Sequence, residues 1–174
     1  MKFAIDLPNF GFSSDPRDVV ELAVKAEKAG WDGFFIWDHI GGRDMVDVPF
    51  HDPTVLLSII AMATDKMKIG AAITPLPRRR PWKVARELVA IDHLSRGRLI
   101  TAFALGNPAS EFTAFGEEAD LKVRAKKLDE GLEILLGLWS GEEYSYLGDV
   151  FQVKEVKFTP KPFQDHIPII IGGF

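Results

Sequence analysis

Short apolar runs alternate with amphipathic stretches from one end of the chain to the other. Residues 3–7 form a five-residue apolar-rich run closed by Pro8-Asn9, which predicts a strand and a loop. Asp15-Pro16 then supplies a helix cap and a proline at the first helical position, and Val19, Leu22, Ala23, Ala26 and Ala29 recur at helical spacing up to Gly30. The unit repeats. Residues 34–37 predict a second strand, residues 38–52 a polar loop, and Asp52-Pro53 opens a helix carried by Leu56, Leu57, Ile60 and Ala61. Residues 68–73 predict a third strand, and Pro81 starts a helix with Val84, Leu88, Ile91 and Leu94 on one stripe, ended at Ser95-Arg96-Gly97. A fourth strand over 99–105 leads through Gly106-Asn107-Pro108 to a helix with Leu121, Ala125, Leu128, Leu132, Leu135 and Trp139 on one face, stopped by Gly141. A small hairpin is expected at 143–153, around Leu147-Gly148-Asp149, and residues 168–171 predict a fifth strand.

Strands and helices in alternation, with strands apolar on both faces, predict an α/β fold with one parallel sheet covered by helices. Pattern alone leaves open whether that sheet is wound toward a barrel or doubly wound. No fixed-period repeat or low-complexity segment divides the 174 residues, so one domain is expected. A closed eight-stranded barrel takes about 250 residues. Five strands fall short of closure, which makes a half barrel the expectation, completed or covered by association with a copy or with a complementary chain.

Composition narrows the chemistry. With 47% hydrophobic and 26% charged residues the chain has the material for a core, and its net charge of −4 argues against a nucleic-acid partner. The absence of cysteine excludes disulfides, thiolate catalysis and iron–sulfur clusters. No apolar stretch of membrane length occurs and no secretory signal is recognisable, so a cytoplasmic protein with no membrane partner is expected.

In parallel α/β folds, loops at the carboxyl ends of the strands carry the site. Here those positions hold Asn9, Asp38-His39, Thr74, Gly106-Asn107 with Glu111, and Gly172-Gly173. His39 is the most versatile, since an imidazole can give or take a proton near neutrality. No recognised metal-ligand spacing links Asp38, His39, His51 and Asp52, and no metal is expected. Arg78-Arg79-Arg80, just before a helix start, reads equally as a phosphate-binding segment or as a solvated loop paired with acidic neighbours. Neither a G-x-G-x-x-G, a Walker nor a G-x-S-x-G pattern occurs. Phe10, Phe12, Phe103, Phe112 and Phe115 suit an apolar cleft but equally a core.

Several segments, in this order, resemble the luciferase-like monooxygenase family: Leu7-Pro8-Asn9-Phe10-Gly11, Ala26-Glu27-Lys28-Ala29-Gly30-Trp31-Asp32-Gly33, Trp37-Asp38-His39, the run from Thr74 to Trp82, Leu94-Ser95-Arg96-Gly97-Arg98, Leu128-Asp129-Glu130-Gly131-Leu132 and Leu138-Trp139-Ser140-Gly141. The resemblance spans the chain and matches the N-terminal half of that family. It implies a TIM-barrel-type fold binding FMN, or alternatively coenzyme F420, and hydride transfer to or from an organic substrate, with oxygen used in the monooxygenase members. It places Asp38, His39, Thr74 and Asn107 near the cofactor ring, with a non-proline cis peptide expected near Thr74, and Asn9, at the end of the first strand, is expected to join them in binding the cofactor. His39 is then the residue for proton transfer or polarisation, and Glu111 an acidic partner in catalysis. Two other readings stand beside this one. The chain is a non-catalytic homologue or structural subunit needing a partner chain, or it is an aldolase- or isomerase-type barrel using Arg78–Arg80 on phosphorylated substrates.

Overall fold

The structure is a computed structural model that describes residues 1–11, 15–41, 45 and 47–172. Of the positions singled out above, Phe12 and Gly173 lie outside the described residues.

Strands β1 (Ala4–Leu7), β2 (Gly33–Ile36) and β3 (Lys68–Ala71) form a parallel set in that order. A second parallel set has the order β4 (Thr74–Pro75), β5 (Thr101–Ala104) and β8 (Ile169–Ile171). The two are joined where Ile100 donates its N–H to the Ile69 carbonyl at 2.9 Å and Ile69 donates to the Arg98 carbonyl at 3.1 Å. Strand positions therefore run in chain order across the whole sheet. Helices α1 (Pro16–Lys28), α2 (Pro53–Ala63), α3 (Pro81–Ser95) and α5 (Leu121–Trp139) pack each against the next in the same sequence. A doubly wound sheet reverses its order midway. This one does not, so the winding is that of a barrel wall, and the described strands do not close it.

The expected third strand is two strands. Its residues are apolar throughout, so the pattern cannot show that the pairing partner changes within it. β3 follows β2 until Ala72 donates to the Ile36 carbonyl at 2.9 Å, the Ala72–Ile73 peptide is cis, and β4 then pairs with β5 through Thr74 and Phe103. The loop after β5 also contains a short helix, α4 (Ser110–Thr113), whose single turn leaves no periodicity to read. The hairpin strands β6 (Glu143–Leu147) and β7 (Gln152–Lys157) are antiparallel and longer than the apolar residues alone indicated, because the exposed far half of β7 is largely charged.

Helix starts follow the cap logic. Asp15 accepts from Arg17 N, and Asp52 accepts from Val55 N at 3.0 Å, each followed by proline at the first helical position. The core lies between sheet and helices, with Phe34, Ile36, Ile69, Leu99 and Phe103 of the strands against Leu57, Ile60, Ile91, Ile134 and Leu135. Three charged side chains pin its connections. Glu27 accepts from the N–H groups of Asp65, Lys66 and Met67, Glu130 accepts from those of Asp149, Val150 and Phe151, and Arg98 binds the ends of α2 and α3. Among the described residues, no helix is long and apolar enough to cross a membrane.

Candidate active site

The carboxyl ends of β2, β4 and β5 surround a cleft of about 250 Å³ lined by Trp37, Asp38, His39, Ala72, Ile73, Pro75, Ala104, Gly106 and Asn107. Its lining is mainly apolar. A second cavity of about 380 Å³ shares Asp38 and His39 and reaches His51, Arg78 and Arg79.

Behind the cleft is a network of buried charges. Glu111, 2% exposed, binds three groups: its Oε1 meets His39 Nδ1 at 2.8 Å and accepts from Gly41 N at 3.3 Å, while its Oε2 accepts from Arg78 Nη1 at 2.5 Å. Asp38 Oδ1 accepts from Arg78 Nη2 at 2.8 Å and from Arg79 Nη2 at 2.9 Å, and the Asp38 carbonyl accepts from Arg78 as well. Arg79 also lies 3.6 Å from Glu87.

Burial alone pushes the Glu111 carboxyl up, but the His39 hydrogen bond and the Arg78 guanidinium outweigh it and hold the group below its ordinary value of 4.5. Near neutrality it is a carboxylate, an acceptor only. The hydrogen bond to it then requires the proton on His39 Nδ1, and in the neutral imidazole that leaves the lone pair on Nε2. Among the described residues Nε2 has no hydrogen-bond partner, while the ring it belongs to lines the cleft. Phe10 packs edge-on against the imidazole, with ring centres 5.4 Å apart, and Trp37 lies on another side at 5.7 Å. The Trp37 indole is held in turn by donating to Asp6 Oδ2 at 2.9 Å.

A lowered carboxyl pKa stabilises the fold above the group's unfolded value, and that stability is lost as pH falls through the folded one. The stability advantage of the wild type over Glu111→Gln is therefore expected to be constant above about pH 4.5 and to shrink below it, as read by urea unfolding of both proteins across pH 3–7. An advantage independent of pH over that range would show that Glu111 does not titrate in this network.

The other expected site residues divide by geometry. Asn107 is exposed and lines the cleft. The Asn9 side chain, 2% exposed, donates to the carbonyls of His39 at 2.7 Å and His51 at 2.8 Å and accepts from His39 N at 3.0 Å, so it fastens the backbone that carries the imidazole. Thr74 is buried in β4, and its neighbours Ile73 and Pro75 face the cleft instead. The cis peptide expected near Thr74 is at Ala72–Ile73. Phe103 and Phe112 are fully buried, whereas Phe115 is exposed. Sequence reasoning left Arg78 and Arg79 between two readings, and the structure pairs Arg78 with Asp38 and Glu111 and Arg79 with Asp38 and Glu87, as the salt-bridged reading has it. The available signal was charge balance: two carboxylates at strand ends need cations at the same end, and this run supplies them.

Comparison with known proteins agrees with the fold. The model of the family described as Luciferase-like monooxygenase matches residues 1–174. The F420-dependent glucose-6-phosphate dehydrogenase of Amycolatopsis mediterranei (strain U-32) is 30% identical over 168 residues, covering 91% of this chain and 48% of the relative. Among solved structures, monooxygenase RslO1 from Streptomyces bottropensis matches with a TM-score of 0.87 at 27% identity, over 98% of this chain and 53% of that one. An F420-dependent secondary alcohol dehydrogenase, in complex with an F420-acetone adduct, matches with a TM-score of 0.86 at 25% identity, over 99% and 53%. The chain spans about half the length of these relatives and belongs to the luciferase-like monooxygenase family.

Proposed function

We propose that this chain supplies the ring-binding and proton-handling half of an oxidoreductase that moves a hydride between a flavin-type cofactor and the carbinol or carbonyl carbon of an organic substrate. The observation that carries the reading is His39: its Nδ1 is tied to a buried carboxylate and, among the described residues, its Nε2 has no partner, on a ring that lines an apolar cleft. The cleft's chemistry fits a planar tricyclic ring, with Ala72, Ile73, Pro75 and Ala104 offering apolar surface and His39 and Asn107 polar groups. When bound, such a ring supplies the hydride acceptor or donor. In the oxidising direction His39 Nε2 takes the hydroxyl proton, and Glu111 and Arg78 hold the imidazole in orientation and steady the charge it gains. The sequence leaned to FMN, but the relatives that share most identity and carry a cofactor in their names use F420, so the deazaflavin is the first ligand to test. Oxygen use is a further option, supported by the monooxygenase among the similar structures.

The sheet also favours a partner. Ile170 and Ile171 on edge strand β8 are each 54% exposed, and Phe3 beside β1 is 58% exposed. Unpaired apolar edges of this kind call for cover by a second copy or by a chain carrying further strands. The test is a fluorescence titration of size-defined protein with F420 and, in parallel, with FMN. Saturable micromolar binding of either is the expected result, on a species larger than one chain. Binding of neither would sink the stand-alone reading in favour of a non-catalytic subunit, and a stable monomer would remove the partner.

A further inference from the structure

Arg124 sits in the first turn of α5, away from the cleft lining, and is 4% exposed. Its Nη1 donates to the carbonyl of Gly106 at 2.7 Å and more weakly to that of Leu105 at 3.4 Å, while the guanidinium carbon lies 4.6 Å from the centre of the Phe112 ring. Its Nε is buried with no hydrogen-bond partner, and among the described residues the side chain forms no ion pair. A cation so placed is an expensive way to fill space, because an apolar side chain of similar volume would pack there without an orphaned donor.

What the guanidinium holds explains its presence. Gly106 and Phe112 bracket the segment that delivers Asn107 to the cleft and Glu111 to His39. Gly106 has a φ of +88°, and a Cβ there would come within 2.9 Å of the Phe112 ring, so the two ends of this segment already touch. Arg124 grips both ends at once, one by a hydrogen bond and the other by the cation lying over the ring. The helix bearing it is anchored in the core through Ile134, Leu135 and Leu138. Through Arg124, a rigid helix fixes the height of α4 and with it the Glu111 carboxylate.

We propose that Arg124 is a positioning residue for the Glu111–His39 pair, acting as a clamp that locks the segment between β5 and α4 onto α5. This rests on the reading of that pair as the proton-handling group. The groups that face Glu111 directly are His39 from the end of β2 and Arg78 from the turn after β4, with Asp38 and Arg79 one contact further away. None of them is altered by a change at position 124.

The experiment follows the Glu111 side-chain carboxyl by carbon-detected NMR across pH, in wild type, Arg124→Met and Arg124→Lys, with Glu111→Gln to assign the signal. The Gly41 amide, which donates to Glu111 Oε1, is read in the same samples. In the wild type Glu111 is expected to titrate below its ordinary value of 4.5, with the Gly41 amide stepping with it. Both Arg124 variants are expected to move the Glu111 midpoint up toward 4.5 and to reduce the Gly41 step, because lysine keeps the charge but lacks the flat fork that reaches carbonyl and ring together. A wild-type midpoint in Arg124→Met, whatever its melting temperature, would make Arg124 a packing residue and overturn the clamp. Wild-type behaviour in Arg124→Lys alone would overturn it too, since charge without geometry would then suffice. An ordinary Glu111 midpoint and an unresponsive Gly41 amide in the wild type would instead refute the pair itself, and the clamp with it.

Discussion

Replacing His39 by alanine is expected to lower the rate of hydride transfer by about 10²- to 10⁴-fold, the range by which a positioned general base accelerates a proton transfer, while leaving affinity for the cofactor within a few-fold of wild type. The split follows from where the imidazole stands. It is one polar group among several at the cleft, whose walls are made by Trp37, Ala72, Ile73, Pro75 and Ala104, so ring binding loses little when it is removed. The described carboxylates nearest the imidazole are already engaged. Asp38 is engaged by two arginines, and Glu111 lies behind the imidazole with both oxygens occupied. Glu111→Gln should be milder than His39→Ala, since it removes the group that fixes the tautomer but leaves the base. Single-turnover measurement with bound F420 or FMN and a secondary-alcohol panel reads both steps. Equal single-turnover rates in wild type and His39→Ala would sink the assignment of His39 as the base, and a parallel collapse of cofactor affinity would recast it as a binding residue.

The contrast between what the sequence made legible and what it hid has a physical basis. Helix starts at Asp15-Pro16 and Asp52-Pro53 were readable because a cap is a local event, settled within four residues. The strand-end positions Asp38, His39 and Glu111 were readable because parallel α/β topology sends them all to one end of the sheet. Their mutual arrangement was not. Glu111 is 72 residues from His39 and 33 from Arg78, and only the strand order brings the three together. The run from Arg78 to Arg80 looked uniform, yet Arg78 and Arg79 are drawn inward by buried carboxylates while Arg80 stays exposed at the start of α3. Asn9 was placed at the cofactor by its position after a strand, but an amide can serve backbone groups as readily as a ligand, and here it serves three. The split of the third strand was invisible for the opposite reason, since unbroken hydrophobicity carries no mark of which neighbour a strand pairs with.

The charged residues of the segments that resemble the family show the same limit. Glu27, Arg98 and Glu130 lie in three of those segments, and all three fasten the scaffold instead of lining the cleft. Arg98 does so most completely, and its replacement carries the largest expected cost in stability. All five of its guanidinium N–H groups find acceptors: Nε on the Ser95 carbonyl at 2.8 Å, Nη1 on Thr64 Oγ1 and the Met67 carbonyl at 2.9 Å each, and Nη2 on the carbonyls of Ala61 at 2.7 Å and Thr64 at 2.9 Å. Those carbonyls belong to the last turns of α2 and α3, where the helices themselves offer no donors, and to the entry of β3. One side chain, 8% exposed, thus closes the ends of two helices and the start of a strand, at the negative ends of both helix dipoles. Arg98→Met fills much of the volume but strands four carbonyls in the interior. It is expected to cost about 3–5 kcal/mol, the range for removing one side of a buried charge-assisted network. Arg98→Lys keeps the charge but has three donors and no planar fork, so it should recover less than half of that loss. Urea unfolding at neutral pH measures both, and hydrogen exchange at the ends of α2 and α3 locates the damage. A loss below about 1 kcal/mol in Arg98→Met would place the site among ordinary surface positions and would mean that water takes over the carbonyls once the guanidinium is gone.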